Sequence, residues 1–229
     1  MKTKKRLKKI SLIVLLISIV LLAILIVYAQ GLRLILIKPQ TQKDYPTGCE
    51  SVSTVMALNY ANYDINIDTF IDKYLDIGEY YKSDGEYYGS NPNEYFIGNP
   101  RDDDGFGCYA PTIYKAVEKI TGNNGVINLT GSTLEELCSQ YIDHTIPVIV
   151  WATQDMQPSK EGKTWKIIGS NEQFTWKTPE HCLLLVGYDS THYYFNDPQS
   201  SHIRAYNKQI VELRYQELGS QAIAILPKN

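Results

Sequence analysis

Nineteen consecutive residues, ISLIVLLISIVLLAILIVY at 10–28, are apolar apart from Ser11, Ser18 and Tyr28. They follow nine residues, MKTKKRLKK, that carry six basic side chains and no acid. At 1.5 Å per residue, a nineteen-residue helix spans roughly 28 Å, about the thickness of a bilayer's hydrocarbon core. A helix on a globular core keeps a polar face. This one has none. Residues 10–28 therefore read as a transmembrane signal anchor, with residues 1–9 as a basic cytoplasmic tail. The alternative is a cleaved signal peptide, with Val27 and Ala29 as the small residues before the cut. The apolar run exceeds the usual core of about 7–15 residues in such a peptide, which favours the anchor. Residues 29–38 are read as a linker. The remainder is expected outside the cell membrane, or secreted if the leader is cut.

That remainder, residues 39–229, is 191 residues long, enough for one domain with its own core. Removing the six basic N-terminal charges from the whole-chain value of −3 leaves the rest near −9, which excludes nucleic acid as a natural partner. Cys49, Cys108, Cys138 and Cys182 form no close ligand pair, so no zinc ribbon, metal or other cofactor is expected. Cys108 and Cys138 could pair in an exported domain. In RDDDGFG, 101–107, the acids are contiguous and no closing glutamate follows, so it reads as a solvated turn and not a calcium loop. Asn128-Leu129-Thr130 is a formal glycosylation acceptor, of consequence only in a eukaryotic cell.

Helical spacing predicts helices at 49–61 and 67–75, and another at 111–122 with Pro111 in its first turn and Gly122 after its end. A fourth, at 132–142, opens with Ser132 and Glu135 in capping-box spacing. Residues 87–111, rich in Gly, Pro and Asn, read as loop. PVIVWAT, HCLLLVGYD, HYYFNDP and AIAIL, beginning at 147, 181, 192 and 222, suit strands, and 163–178 suits a hairpin around Gly169 and Asn171. Helices gathered before an antiparallel sheet make an α+β domain.

Within that frame, YPTGCES at 45–51 places Cys49 after a Pro-Thr-Gly turn and at the start of a helix. A thiol attacks as thiolate, and a free cysteine of pKa about 8.5 is a few per cent ionised at neutral pH. The unpaired N–H groups at a helix start favour the anion. Alternatively Cys49 is a small core residue that happens to open a helix. His181 follows 132 residues later and Asp197 148 later, the spacing of a papain-like nucleophile and its partners. The imidazole would take the thiol proton, and a carboxylate on the far ring nitrogen would fix the tautomer. Gln42, seven residues before Cys49, could join the Cys49 N–H in holding an oxyanion.

QKDYPTGCES, HCLLLVGYD and FNDP together resemble the double-glycine leader peptidase-like branch of papain-like cysteine peptidases, cysteine peptidase family thirty-nine. YGSNPNEYFIGNP and GFGCYAP are similar to its exported, stand-alone members. The resemblance implies a papain-like fold, a peptide or protein substrate, Cys49 as nucleophile, His181 as general base and acid, Asp197 as its orienter and Gln42 as oxyanion donor. Gln40 competes with Gln42, and Asn196 with Asp197; the resemblance favours Gln42 and Asp197. Cys182 is expected on the opposite sheet face from His181, in the core. Trp151, Trp165 and Trp176 read as packing residues, one of which could wall a cleft. Glu50 reads as a charge complementing the helix dipole. Against peptide hydrolysis stand an amidase or transpeptidase acting on cell-wall peptides, a papain-like binding module without turnover, and a Cys–Gln thioester adhesin domain.

Overall fold

The computed structural model describes residues 2–29, 31–200 and 202–228, with side chains in the first helix described from 11 to 25. In chain order the elements are α1 (Lys2–Ala29), β1 (Arg33–Leu34), α2 (Cys49–Tyr60), α3 (Ile67–Lys73), β2 (Ile77–Gly78), β3 (Tyr80–Ser83), β4 (Glu86–Gly89), β5 (Phe96–Ile97) and α4 (Ala110–Thr121). They continue with β6 (Val126–Asn128), α5 (Leu134–Gln140), β7 (Val148–Thr153), β8 (Lys160–Ile167), β9 (Gln173–Thr178), β10 (Glu180–Tyr188), β11 (His192–Asn196), β12 (Ile203–Asn207), α6 (Lys208–Glu217) and β13 (Ala222–Ile225).

All fifteen described side chains of α1 are exposed, among them Leu12 to Leu16 and Ile19 to Leu22. Among the described residues no helix is long and apolar enough to cross a membrane. The side chains of the basic tail, of Ile10 and 26–28 in the expected anchor, and of Val27 and Ala29 at the alternative cut lie outside the described residues.

The main sheet runs β12-β11-β10-β7-β13-β6, antiparallel throughout, with β1 added against the end of β10. Every residue of β7 is buried, so both faces of this central strand are covered; α2 and α6 both pack against it. Continuous burial explains why VIVWAT shows no polar alternation. Helix α2 is likewise buried from Cys49 through Leu58, with Ser53 donating to the carbonyl of Cys182 at 3.2 Å. The small Ser53 sits where this helix meets β10. A second sheet, β3-β4-β8-β9, stands beside the first and carries Trp165 and Trp176.

The α+β class holds, but the predicted order of helices before strands does not. The hairpin β3–β4 falls early and α6 late. Residues 87–111, expected as loop, include the last residues of β4, all of β5 and the first turn of α4. The capping box moves by one residue: Thr133, not Ser132, caps α5, with Glu136 bonding back to it. Starting there puts Leu134, Leu137 and Cys138 on one buried stripe, which decides between two equally good cap sequences.

Candidate active site

Cys49 is the first residue of α2, preceded by Gly48, and no side chain caps this helix start. The first N–H groups of a helix have no internal partner, so the Cys49 amide is open to a ligand. His181 stands at the start of β10 and Asp197 directly follows β11. Leu184 pairs with Asn196. Carried one residue further, that register sets Asp197 across from Leu183 and diagonal to His181 on the same face. The two side chains meet: His181 Nε2 lies 2.8 Å from Asp197 Oδ1, both out of water.

Asp197 is held from several directions. Its Oδ1 also accepts the Gln199 N–H at 2.9 Å, and its Oδ2 accepts Arg204 at 3.2 Å and the Tyr206 hydroxyl at 3.3 Å. Burial pushes this carboxyl up, but the bond to and charge of His181, the Gln199 amide and Arg204 outweigh it and hold Asp197 below the usual carboxylate range. An ionised Asp197 can only accept, so Nε2 carries the hydrogen and Nδ1 is the ring nitrogen left for a substrate-side proton. Arg204 is itself paired to Asp155 at 2.7 Å. The neighbouring Asn196 takes no part in this pair; its amide donates to the Ile37 carbonyl at 3.0 Å.

Gln42 comes to the same place through its backbone, whose N–H donates to the Pro198 carbonyl at 2.8 Å. One of its two side-chain N–H groups donates to the Pro46 carbonyl at 2.8 Å, leaving the other free by stoichiometry. Gln40 has its backbone on the Met56 sulfur and faces away, toward Asn59 and Asp68.

The thiol differs from expectation. Cys49 Sγ lies 3.3 Å from Glu50 Oε2, and the backbone N–H of Cys182, the residue after His181, also reaches it. Among the described residues no hydrogen bond joins Cys49 to the His181 ring. Burial, then the carboxyls of Glu50 and Glu180, push the thiol well above the ordinary range. Desolvation of a side chain only 6 % exposed overrides the helix-start field that was expected to lower it. The surroundings of the sulfur favour the neutral thiol, hydrogen-bonded to a glutamate. A thioester would need a glutamine at this sulfur, and Glu50 occupies that place.

Glu50 and Glu180 are the residues sequence reasoning undervalued. Glu50 is fully buried; its Oε1 accepts the Cys108 N–H at 2.6 Å. Burial pushes Glu50 up to about 7, against the Cys108 bond that lowers it. Burial and then Glu50 push Glu180 well up, and its Oε1 has no hydrogen-bond partner among the described residues. Gly107, at φ +132°, lies against both: a side chain there would run into Glu50 Oε1. The donor atoms of Cys49, Glu50 and Glu180 lie within 4.8 Å of one another. Three donors fall short of the four of a closed structural zinc site, and one of them is the candidate nucleophile; no metal role is assigned to them.

The remaining cysteines are free and buried, so Cys108 and Cys138 do not pair. Cys108 sits between Glu50 and the Trp151 indole, which donates to its carbonyl at 2.8 Å, while Cys138 belongs to α5. Cys182 is core, as expected. Of the tryptophans, Trp151 and Trp165 pack, whereas Trp176 walls a depression with Asp103, Phe106, Lys163 and Glu180, next to His181.

A family model described as "Peptidase_C39 like family" matches residues 34–223. The chain is 30% identical over 187 residues to the uncharacterized protein YvpB of Bacillus subtilis (strain 168), covering 80% of this chain and 72% of that protein. A crystal structure of a candidate C39-like peptidase from Bacillus anthracis superposes with a TM-score of 0.75 at 26% identity, covering 86% of this chain and 98% of the other.

Proposed function

The chain belongs to the Peptidase_C39 like family, and from that premise we propose that it is a membrane-anchored, extracytoplasmic cysteine peptidase acting through Cys49, His181, Asp197 and Gln42. The observation that carries this reading is the buried 2.8 Å bond between His181 and Asp197, beside the uncapped helix start that holds Cys49.

In the reaction, Cys49 gives its proton to His181 Nδ1 and the sulfur adds to the carbonyl carbon of the scissile amide. The carbonyl oxygen, now an oxyanion, is held by the Cys49 N–H and the free N–H of Gln42. The imidazolium, steadied by Asp197, protonates the leaving nitrogen; the C–N bond breaks and a thioester remains. Water then attacks the thioester, its proton passing through Nδ1 back to sulfur as the acid leaves. The depression walled by Trp176, Phe106 and Lys163 is where the peptide chain would lie. The basic tail, the nineteen-residue apolar segment and the exposed apolar side chains of α1 support the anchor.

The bond from Cys49 to Glu50 favours a second reading, a papain-like module that binds peptides without cutting them. The full chain in detergent, mixed with a random peptide library and read by mass spectrometry, separates the two. Cleavage that falls roughly a thousandfold or more in Cys49→Ala and in His181→Ala supports the peptidase. Peptides retained at unchanged mass would sink it. In intact cells, external protease should remove the domain while α1 stays with the membrane; full-length domain in the medium would mean a cut leader.

A further inference from the structure

Glu50, fully buried, and Glu180, half-buried beside it, are acids that the proposed mechanism does not use. An acid at the first turn of a helix belongs in water, yet Glu50 is fully buried and its two oxygens are committed in different directions. Oε1 holds the Cys108 N–H at 2.6 Å, and Oε2 lies 3.3 Å from the candidate nucleophile. One carboxyl therefore ties the backbone at Cys108 to the sulfur. Its other neighbour is a second carboxyl, Glu180, whose Oε1 has no hydrogen-bond partner among the described residues.

We propose that Glu50 is a positioning residue for Cys49, and that with Glu180 it decides whether the sulfur can ionise. This rests on the peptidase reading and adds a control to the same site. The bond between Oε2 and Sγ can run either way. With Glu50 protonated, its O–H donates to a thiolate and supports it. With Glu50 ionised, the thiol must donate to the carboxylate, and the proton is kept from His181. Two carboxyls this close do not both ionise easily, so Glu180 keeps Glu50 protonated further into the neutral range than a lone acid would be.

The groups facing Glu50 are Cys49 on its own helix, Cys108 and Tyr109 ahead of α4, and Glu180 and Cys182 on β10. All are acids, thiols or a phenol, each neutral or negative, and none can hold a positive charge against Glu50. Ionisation of Glu50 therefore has no local counter-charge, and the nearest groups to bear its effect are the sulfur and Glu180. Burial places the change for Glu50 at about 7.

The test uses the full chain and follows iodoacetamide alkylation of Cys49, resolved by mass spectrometry, from pH 5 to pH 9. An ordinary thiol reacts about tenfold faster per pH unit until its pKa. Native Cys49 should fall below that line as pH passes about 7. Glu50→Gln keeps the shape, still accepts from Cys108, and offers an N–H to the thiolate at every pH. It should react about tenfold or more faster than native at pH 8, with the break gone. Glu180→Gln, which leaves the bonds of Glu50 in place, should move the break to lower pH by about one unit. Unmoved profiles in both variants, with native circular dichroism, would overturn the proposal. If Glu50→Gln fails to fold, Glu180→Gln decides alone: a moved break supports the proposal, and a fixed one removes it. His181→Ala in the native background judges the peptidase reading separately, because loss of peptide cleavage there does not depend on any shift caused by Glu50→Gln.

Discussion

Two buried acidic groups flank the candidate site, Glu50 at the start of α2 and Asp197 directly after β11, and they behave oppositely. Asp197 and Glu50 are both 0 % exposed. Asp197 accepts four hydrogen bonds, from His181, Gln199, Arg204 and Tyr206, and is held below the usual range. Glu50 accepts one backbone N–H and the Cys49 thiol, has Glu180 for a neighbour, and is pushed up to about 7. Burying an ion costs several kcal/mol, and each hydrogen bond to a charged group contributes roughly 1.5–3 kcal/mol. Four such bonds exceed that cost; one strong bond does not. Depth alone does not set ionisation in this site. Partners do, and the difference fits an orienter that is always charged beside a neighbour of the nucleophile that is charged only on demand.

The comparison is broken most forcefully at Asp197. Asp197→Ala leaves His181 without its acceptor and Arg204 facing an empty place, and should cost about 3–5 kcal/mol in urea unfolding at pH 7. Asp197→Asn still accepts from Nε2–H and Gln199, and should cost less, roughly 1–3 kcal/mol. Because the folded carboxyl titrates below its unfolded value of about 3.9, its stabilisation is complete above that pH and is lost as pH falls through the lower folded value. The gap between native and Asp197→Asn should therefore close toward pH 2. A loss under about 1 kcal/mol for the alanine variant at pH 7 would mean that the bonds around Asp197 are no better than those around Glu50.

One half of this comparison was legible in the sequence and the other was not. Cys49, His181 and Asp197 stand at element ends flanked by turn residues and apolar runs, so their neighbourhood could be read from spacing. The burial of Glu50 depends on Gly107 and Cys108 folding across it, a long-range event that no periodicity records. Glu180, just ahead of the apolar run HCLLLVGYD, entered no reading of the sequence; it is half-buried, with Gly107 against its carboxyl. Arg204 was missed with β12, whose half-buried residues show no apolar alternation. Helix α6 has only Val211 and Tyr215 buried, too thin a stripe to signal a helix, although Asn207 was there to cap it. The hairpin β3–β4 was a fairer miss, since Asp84-Gly85, both at positive φ, is a strong two-residue turn signal.

A smaller effect should appear in the stability of the Glu50 group. Its folded value of about 7 lies above the unfolded value of about 4.3, so the folded chain holds the extra proton. The sign is then opposite to that of Asp197: stability is fully present below about pH 4.3 and is lost as pH rises through 7. At 1.36 kcal/mol per pKa unit, the native protein should lose up to about 3 kcal/mol between pH 5 and pH 8 from this group. Glu50→Gln, with nothing to ionise, should flatten most of that decline. Parallel slopes for native and variant, in urea unfolding at both pH values, would show that Glu50 is not the buried acid that titrates there.

The finest division lies in what makes Asp197 charged, its hydrogen bonds or its cation. Arg204 supplies both, but its side chain is 31 % exposed and shared with Asp155 at 2.7 Å, so solvent screens much of its charge. Arg204→Ala should accordingly cost about 1 kcal/mol or less at pH 7, well below the cost of Asp197→Ala. Its clearer mark should be on the acid side, where losing the guanidinium raises the folded value of Asp197 and brings the onset of destabilisation to higher pH. A loss as large as that of Asp197→Ala would mean that the cation, and not the set of neutral donors, keeps the orienter ionised. In that case an arginine placed beside Glu50 would be expected to convert one kind of buried acid into the other.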